Sequence, residues 1–177
     1  MRSYKTEGII IKRKDFGEAD RILTVFTKNQ GKIKIIAKGV RKISSRRSPH
    51  VELLNHCLIT VHEAKLPILT EAETIKHYSI LKNDLKKCGF AFYICELIDG
   101  LLAEYQESRG VFNLMQDVLD RLQTETKPWN LISKFEQDLL VSLGFFPKTQ
   151  LFIEDSDAFI EDIIERKIKS KKILQLF

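Results

Sequence analysis

Along the first half of the chain the apolar residues are short, β-branched runs; along the second half they return every three or four positions. Gly8 to Lys14 (GIIIKRK) and Arg21 to Lys28 (RILTVFTK) predict two strands. Asp15 to Asp20 (DFGEAD), containing Gly17, supplies a turn-rich link, so the pair reads as a hairpin. Asn29, Gln30 and Gly31 then turn the chain into Lys32 to Lys38 (KIKIIAK), whose alternation puts lysines on one face and isoleucines on the other. Val51 to Glu63 (VELLNHCLITVHE) and Leu66 to Ile75 (LPILTEAETI) predict two further strands.

The period changes near residue 83. A segment capped by Asn83 or Asp84 and running through Glu104 carries Leu85, Cys88, Phe92, Cys95 and Leu102 at helical spacing; Gly89 and Gly100 weaken it and leave room for close packing. Val111 to Leu122 repeats the pattern with Phe112, Met115, Leu119 and Leu122, and Ile132 to Leu143 does so with Phe135, Leu139 and Leu143. Such stripes are bundle core far more often than cofactor boxes. Gly144 and Pro147 stop the third helix. Phe159 to Ile168 predicts one more, and the tail KIKSKKILQLF is either a docking helix or a frayed end. The fold class is therefore α+β in two domains, 1–77 and 78–177. Five short antiparallel strands fit a small closed OB-type barrel; a five-stranded sheet packed on a helix is the competing geometry.

Composition adds a partition. The chain has 177 residues, 44% hydrophobic and 30% charged, an ordinary globular balance. Its net charge of +5 is uneven: residues 1–77 hold 16 Lys and Arg against 8 Asp and Glu, and residues 78–177 hold 13 against 16. That split suggests two units with different partners. No apolar run reaches the ~20 residues that span a bilayer, and the start lacks the features of a signal peptide, so a cytoplasmic protein is expected. Three cysteines, Cys57, Cys88 and Cys95, form no CxxC motif and read as reduced, buried thiols. His56, Cys57 and His62 are close in sequence, yet on a strand Cys57 points away from both histidines, which favours a structural role over metal binding. No P-loop, GxGxxG, HExxH or GxSxG spacing is present, and the acids Glu154, Asp155 and Asp157 read as a solvated loop. Neither catalysis nor a cofactor or metal is expected.

The feature that asks for a function is Lys38 to Ser48, KGVRKISSRRS. Lys38, Arg41, Lys42, Arg46 and Arg47 fall within it, Lys32 and Lys34 precede it, and no Asp or Glu occurs between Lys32 and Val51. These seven cations are the candidate DNA-binding residues: Lys and Arg that neutralise phosphates gain affinity by releasing counterions. A solubilising face is the bland alternative. The arginines can fork onto phosphate, Ser44, Ser45 and Ser48 add donors, and Gly39 permits close approach. Of Tyr4, Phe16 and Phe26, the available aromatics, Phe26 is expected in the core, so little sequence preference is expected.

In order, YKTEGIIIKRKDFGEADRILTVFTKNQGKIKIIAKGVRK, SSRRS, VELLNH and EAETI, then FAFYICELIDGLL, VFNLMQDVLDRL and FEQDLLVSLGFFP, resemble the RecO family of bacterial recombination mediators over roughly Met1 to Pro147. The resemblance implies an OB-fold domain joined to an all-α helical domain. It implies binding of single- and double-stranded DNA, annealing, and partnership with RecR and the single-strand binding protein SSB, through its C-terminal tail, to help load RecA. It also implies DNA contact at Lys38, Arg41, Lys42 and Arg46, and structural roles for Gly8, Gly17, Glu18, Asp20 and Gly31. Many members carry a four-cysteine zinc module after the LGFxP segment; from Lys148 onward this sequence has no cysteine. The rival reading is a non-catalytic adaptor whose basic surface takes an acidic peptide tail.

Overall fold

The computed structural model describes residues 2–149 and 155–176. Alternation in the first half produces β1 (Ser3–Phe16), β2 (Asp20–Thr27), β3 (Gly31–Ala37), β4 (His56–His62) and β5 (Ile68–Lys76), closed into a barrel in the order β1-β2-β3-β5-β4. The alternation alone suggests antiparallel strands throughout. An odd number of strands in a ring cannot alternate direction all the way round, and the one parallel seam falls between β3 and β5, at Ile36 and Ile68. β1 serves two neighbours, pairing β4 through Ser3 to Ile9 and β2 through Gly8 to Phe16, with a register shift at Ile10/Lys12 where the strand curves. Ile10, Leu23, Val25, Ile33, Ile35, Ile59, Val61 and Leu69 fill the barrel interior. The fourth predicted strand starts later than Val51: Ser48–Val51 is a 3-10 turn, and pairing begins at His56.

The barrel unit comprises residues 1–78 together with 102–109. The first predicted helix, expected to run through Glu104, ends at Leu101, and the following segment lies along β3. Lys32 and Glu104 form a parallel bridge, and the Tyr105 N–H donates to the Lys32 carbonyl at 2.9 Å. Gly31, with φ of 67°, lets this segment in: a Cβ there would lie 2.2 Å from the Gln106 carbonyl oxygen.

The helical unit contains α1 (Ser79–Asn83), α2 (Leu85–Leu101), α3 (Arg109–Leu122), α4 (Pro128–Ser142), α5 (Ser156–Ile164) and α6 (Lys171–Leu174). α3 buries the predicted Phe112, Met115, Leu119 and Leu122. α2 departs from its predicted single stripe. Leu85 is exposed, whereas Phe90, Tyr93, Ile94, Leu97 and Ile98 are buried, because α4, α5 and α6 all pack on α2 and leave it little solvent face. α4 starts at Pro128, which suits a first helical position, and ends as predicted at Gly144: its N–H bonds the Val141 carbonyl and that of Phe145 bonds Leu140, a Schellman motif. α5 starts three residues before the predicted Phe159, because the Asp155 carboxylate accepts from the N–H groups of Asp157 and Ala158. Asp155, exposed as expected, is thus also the cap of α5, and the half-buried Asp157 lies in its first turn; Glu154 lies outside the described residues. Of the two readings of the tail, docking holds: Ile168, Ser170 and Leu174 are buried. Cys57 and Cys95 are buried free thiols, but Cys88 is only half-buried.

Candidate nucleic-acid interface

The basic run is a braced loop joining β3 to the 3-10 turn. Val40 and Val51, both fully buried, fix its two ends in the barrel core. The β1–β2 hairpin tip holds its entry: the Gly39 N–H donates to Asp20 Oδ1 at 2.7 Å, and the Arg41 N–H to the Ala19 carbonyl at 2.9 Å. Turn hydrogen bonds from Lys42 to Gly39 and from Ser45 to Lys42 shape the middle. Arg47 holds the exit, donating to the carbonyls of Leu69 at 2.6 Å and Lys38 at 2.7 Å.

Loop and hairpin enclose an open cleft of about 770 Å³. Lys38, Lys42, Arg46 and Arg47 line it with Ser44, Ser45 and the Gly39 backbone. Among the described residues, Lys38, Lys42 and Arg46 make no ion pair, and all three are exposed. The opposite wall is Glu18, Ala19 and Asp20. The absence of acid from 32 to 51 therefore overstates the local field, since the hairpin brings two carboxylates to the cleft. Asp20 is occupied by the Gly39 N–H. The signal for this wall was available: Gly17 marks the turn, and the hairpin register sets Phe16 opposite Asp20.

The seven candidate cations thus divide. Lys38, Lys42 and Arg46 face the cleft. Arg41 is exposed but braced, its guanidinium donating to the Gly17 carbonyl at 3.2 Å and lying 3.4 Å from Asp15. Hydrogen bonding from Arg21 holds the Asp15 carboxyl below the usual carboxylate range, with the charges of Arg41 and Arg13 adding to it. Arg47 lines the cleft while serving two backbone carbonyls. The structure does not bring Lys32 and Lys34 there. Lys32 is 7% exposed beside the returning segment, and Lys34 pairs with Glu104. Of the three aromatics, Phe26 is buried, Tyr4 packs against the barrel core, and Phe16 is 49% exposed at the hairpin tip. His56 is buried 3.3 Å from Glu7, His62 bonds Ser3, and the Cys57 thiol donates to the His50 carbonyl. No three His, Cys, Asp or Glu among the described residues gather to hold a metal ion, and no described helix is long and apolar enough to cross a membrane.

Comparison with known proteins converges on one family. Residues 1–78 match the family model described as Recombination protein O N terminal, and residues 82–150 match Recombination protein O C terminal. The DNA repair protein RecO of Roseiflexus sp. (strain RS-1) is 34% identical over 148 residues, covering 83% of this chain and 52% of the relative. That of Dehalococcoides mccartyi (strain CBDB1) is 34% identical over 146 residues, covering 82% and 58%. That of Heliobacterium modesticaldum (strain ATCC 51547 / Ice1) is 33% identical over 164 residues, covering 87% and 56%. The chain spans between 52% and 59% of the length of these and similar relatives. An OB-type barrel followed by a helical unit, each matched in order by its own model, places the chain in the RecO family of DNA repair and recombination proteins.

Proposed function

We propose that this chain binds single- and double-stranded DNA by its phosphate backbone, without strong sequence preference, and acts as a recombination mediator rather than an enzyme. The observation that carries this reading is the set of Lys38, Lys42 and Arg46, unpaired on a braced loop around an open cleft. Phosphates entering there displace counterions without breaking an existing ion pair. Holding two strands at once lowers their mutual repulsion and favours annealing, and no covalent step is needed. In the same reading the chain partners RecR, engages the acidic SSB tail, and so assists RecA loading on SSB-coated strands in the cytoplasm. Tethering that tail raises its local concentration and loosens SSB from the strand.

The adaptor alternative is weaker at this cleft, whose lining offers no large apolar side chain to receive a peptide anchor. Fluorescence anisotropy with a single-stranded oligonucleotide across a salt series tests the proposal. Replacing Lys38, Lys42 and Arg46 together by Gln should lower affinity and flatten the log–log salt slope by about 2, at ~0.7 for each phosphate no longer neutralised. An unchanged slope in a folded variant counts against the cleft as the binding site.

A further inference from the structure

Ile43 stands in the basic loop, between Lys42 and Ser44 of the cleft lining, and is fully exposed. Val40, three residues earlier, is fully buried, so the loop already has its core anchor at this end. Nor is Ile43 on a loose end, because the hydrogen bonds of Gly39, Arg41, Lys42, Ser45 and Arg47 fix the backbone around it. Phe16, half-exposed, stands beside the hairpin turn whose residues form the other wall. A fully exposed apolar side chain therefore stands in the loop between two residues that line a cationic cleft with no apolar hollow of its own.

A convex apolar projection suits a flat partner laid against it, whereas a peptide's apolar anchor needs a concave site. The face of a nucleobase is flat and apolar, and it arrives attached to phosphates that the neighbouring cations attract. We infer that Ile43 carries an unpaired base of a single strand whose phosphates Lys38, Lys42 and Arg46 hold. The inference rests on the DNA-binding reading above and deepens it. A base held in a duplex stack is not free to lie on Ile43, so the contact favours single strands.

The full chain is titrated with oligo(dT), with duplex DNA and with heparin, a polyanion without bases. Ile43→Ser should weaken oligo(dT) binding about three- to tenfold, leave its salt slope unchanged, and leave heparin and duplex affinities unmoved. Equal weakening on all three ligands, or none on oligo(dT), overturns the inference. The chain has one tryptophan, Trp129. Ile43→Trp in a Trp129→Phe background therefore puts a single reporter at the loop: quenching by oligo(dT) and not by heparin supports stacking, and an identical response to both overturns it. Loss of affinity for an acidic peptide in Ile43→Ser, with oligo(dT) binding intact, assigns the side chain to a peptide and overturns it too. If the unsubstituted chain fails to bind oligo(dT) at any salt, the DNA-binding reading falls and takes this inference with it. Salt-dependent oligo(dT) binding that Ile43→Ser leaves intact sinks the inference alone.

Discussion

Arg46 and Arg47 are adjacent and chemically identical, yet their surroundings give them different work. Arg46 is exposed and unpaired on the cleft, while Arg47 spans the carbonyls of Leu69 and Lys38 with its two terminal nitrogens. Hydrogen bonds from a charged donor are worth about 1.5–3 kcal/mol when buried, and the partial exposure of Arg47 discounts that. Arg47→Ala should therefore cost about 1–2 kcal/mol of stability in urea unfolding, and Arg47→Lys should recover little, since an ammonium cannot reach two carbonyls as a planar fork does. Arg46→Ala should stay within about 0.5 kcal/mol of the parent and weaken DNA binding instead. Equal destabilisation by the two alanine variants would contradict this division. The run of cations was plain in the sequence, but which of them are spent on the fold was not: the partners of Arg47 are backbone groups that any residue supplies. Lys32 shows the same limit, since alternation placed it on the outer face and the covering segment lies 72 positions later, at Glu104.

At the scale of elements, two carboxyl groups tie the C-terminal helices to α2 and α4, with opposite responses to pH. Tyr93 Oη on α2 lies 2.6 Å from Glu136 Oε1 on α4 and 2.8 Å from Asp157 Oδ1 on α5. The Tyr93 hydroxyl has one proton, which it directs between the two carboxyl oxygens. Burial pushes the Glu136 carboxyl above its ordinary value, although the hydrogen bonds it accepts from Tyr93 and Ser156 oppose the rise; Asp157 is paired with Lys171. Glu96 is the reverse case. Burial alone would raise it, but hydrogen bonds from the Ser170 hydroxyl, from the N–H groups of Lys169 and Ser170, and from Arg166 outweigh burial and hold it below its ordinary value. A raised carboxyl stabilises the fold below its unfolded-state value and loses that contribution as pH rises through the folded value; a lowered one contributes above the unfolded value and loses it as pH falls. Unfolding free energy should rise out of acid as Glu96 ionises and decline as pH climbs past the ordinary carboxyl range, each limb no steeper than about 1.4 kcal/mol per pH unit. Urea titrations from about pH 2 to about pH 8 check this. Glu136→Gln should remove the declining limb, because the amide can donate to Tyr93 and accept from Ser156, while Glu96→Gln should remove the rising limb and lower stability at neutral pH.

For the molecule as a whole, what was legible depended on whether a structural feature leaves a local period. The barrel strands and the cores of α3 and α4 do, and so does the glycine stop of α4, because burial on one face repeats along the chain. The return of residues 102–109 to the barrel does not: eight residues without periodicity look like the end of α2 or a loop, and nothing near them names β3 as their partner. The braced shape of the basic loop was equally hidden, since its charges were visible but its ties to Asp20, Ala19 and Leu69 come from the β1–β2 hairpin and from β5. One trace of the return does lie in the sequence, at Gly31. Gly17 and Gly31 both occupy hairpin turns with positive φ, 56° and 67°, and a Cβ at Gly17 would meet nothing within 4 Å. A Cβ at Gly31 would strike the backbone of Gln106, where no side chain can swing aside. Gly17→Ala should thus cost only the left-handed penalty of about 1–2 kcal/mol, whereas Gly31→Ala should add an overpacking cost of about 1–3 kcal/mol. Displacement of the returning segment should also expose residues 102–109 to limited proteolysis in Gly31→Ala and not in Gly17→Ala. Matched stabilities and matched cleavage in the two variants would mean that the segment contributes nothing to the barrel, and that β3 is complete without it.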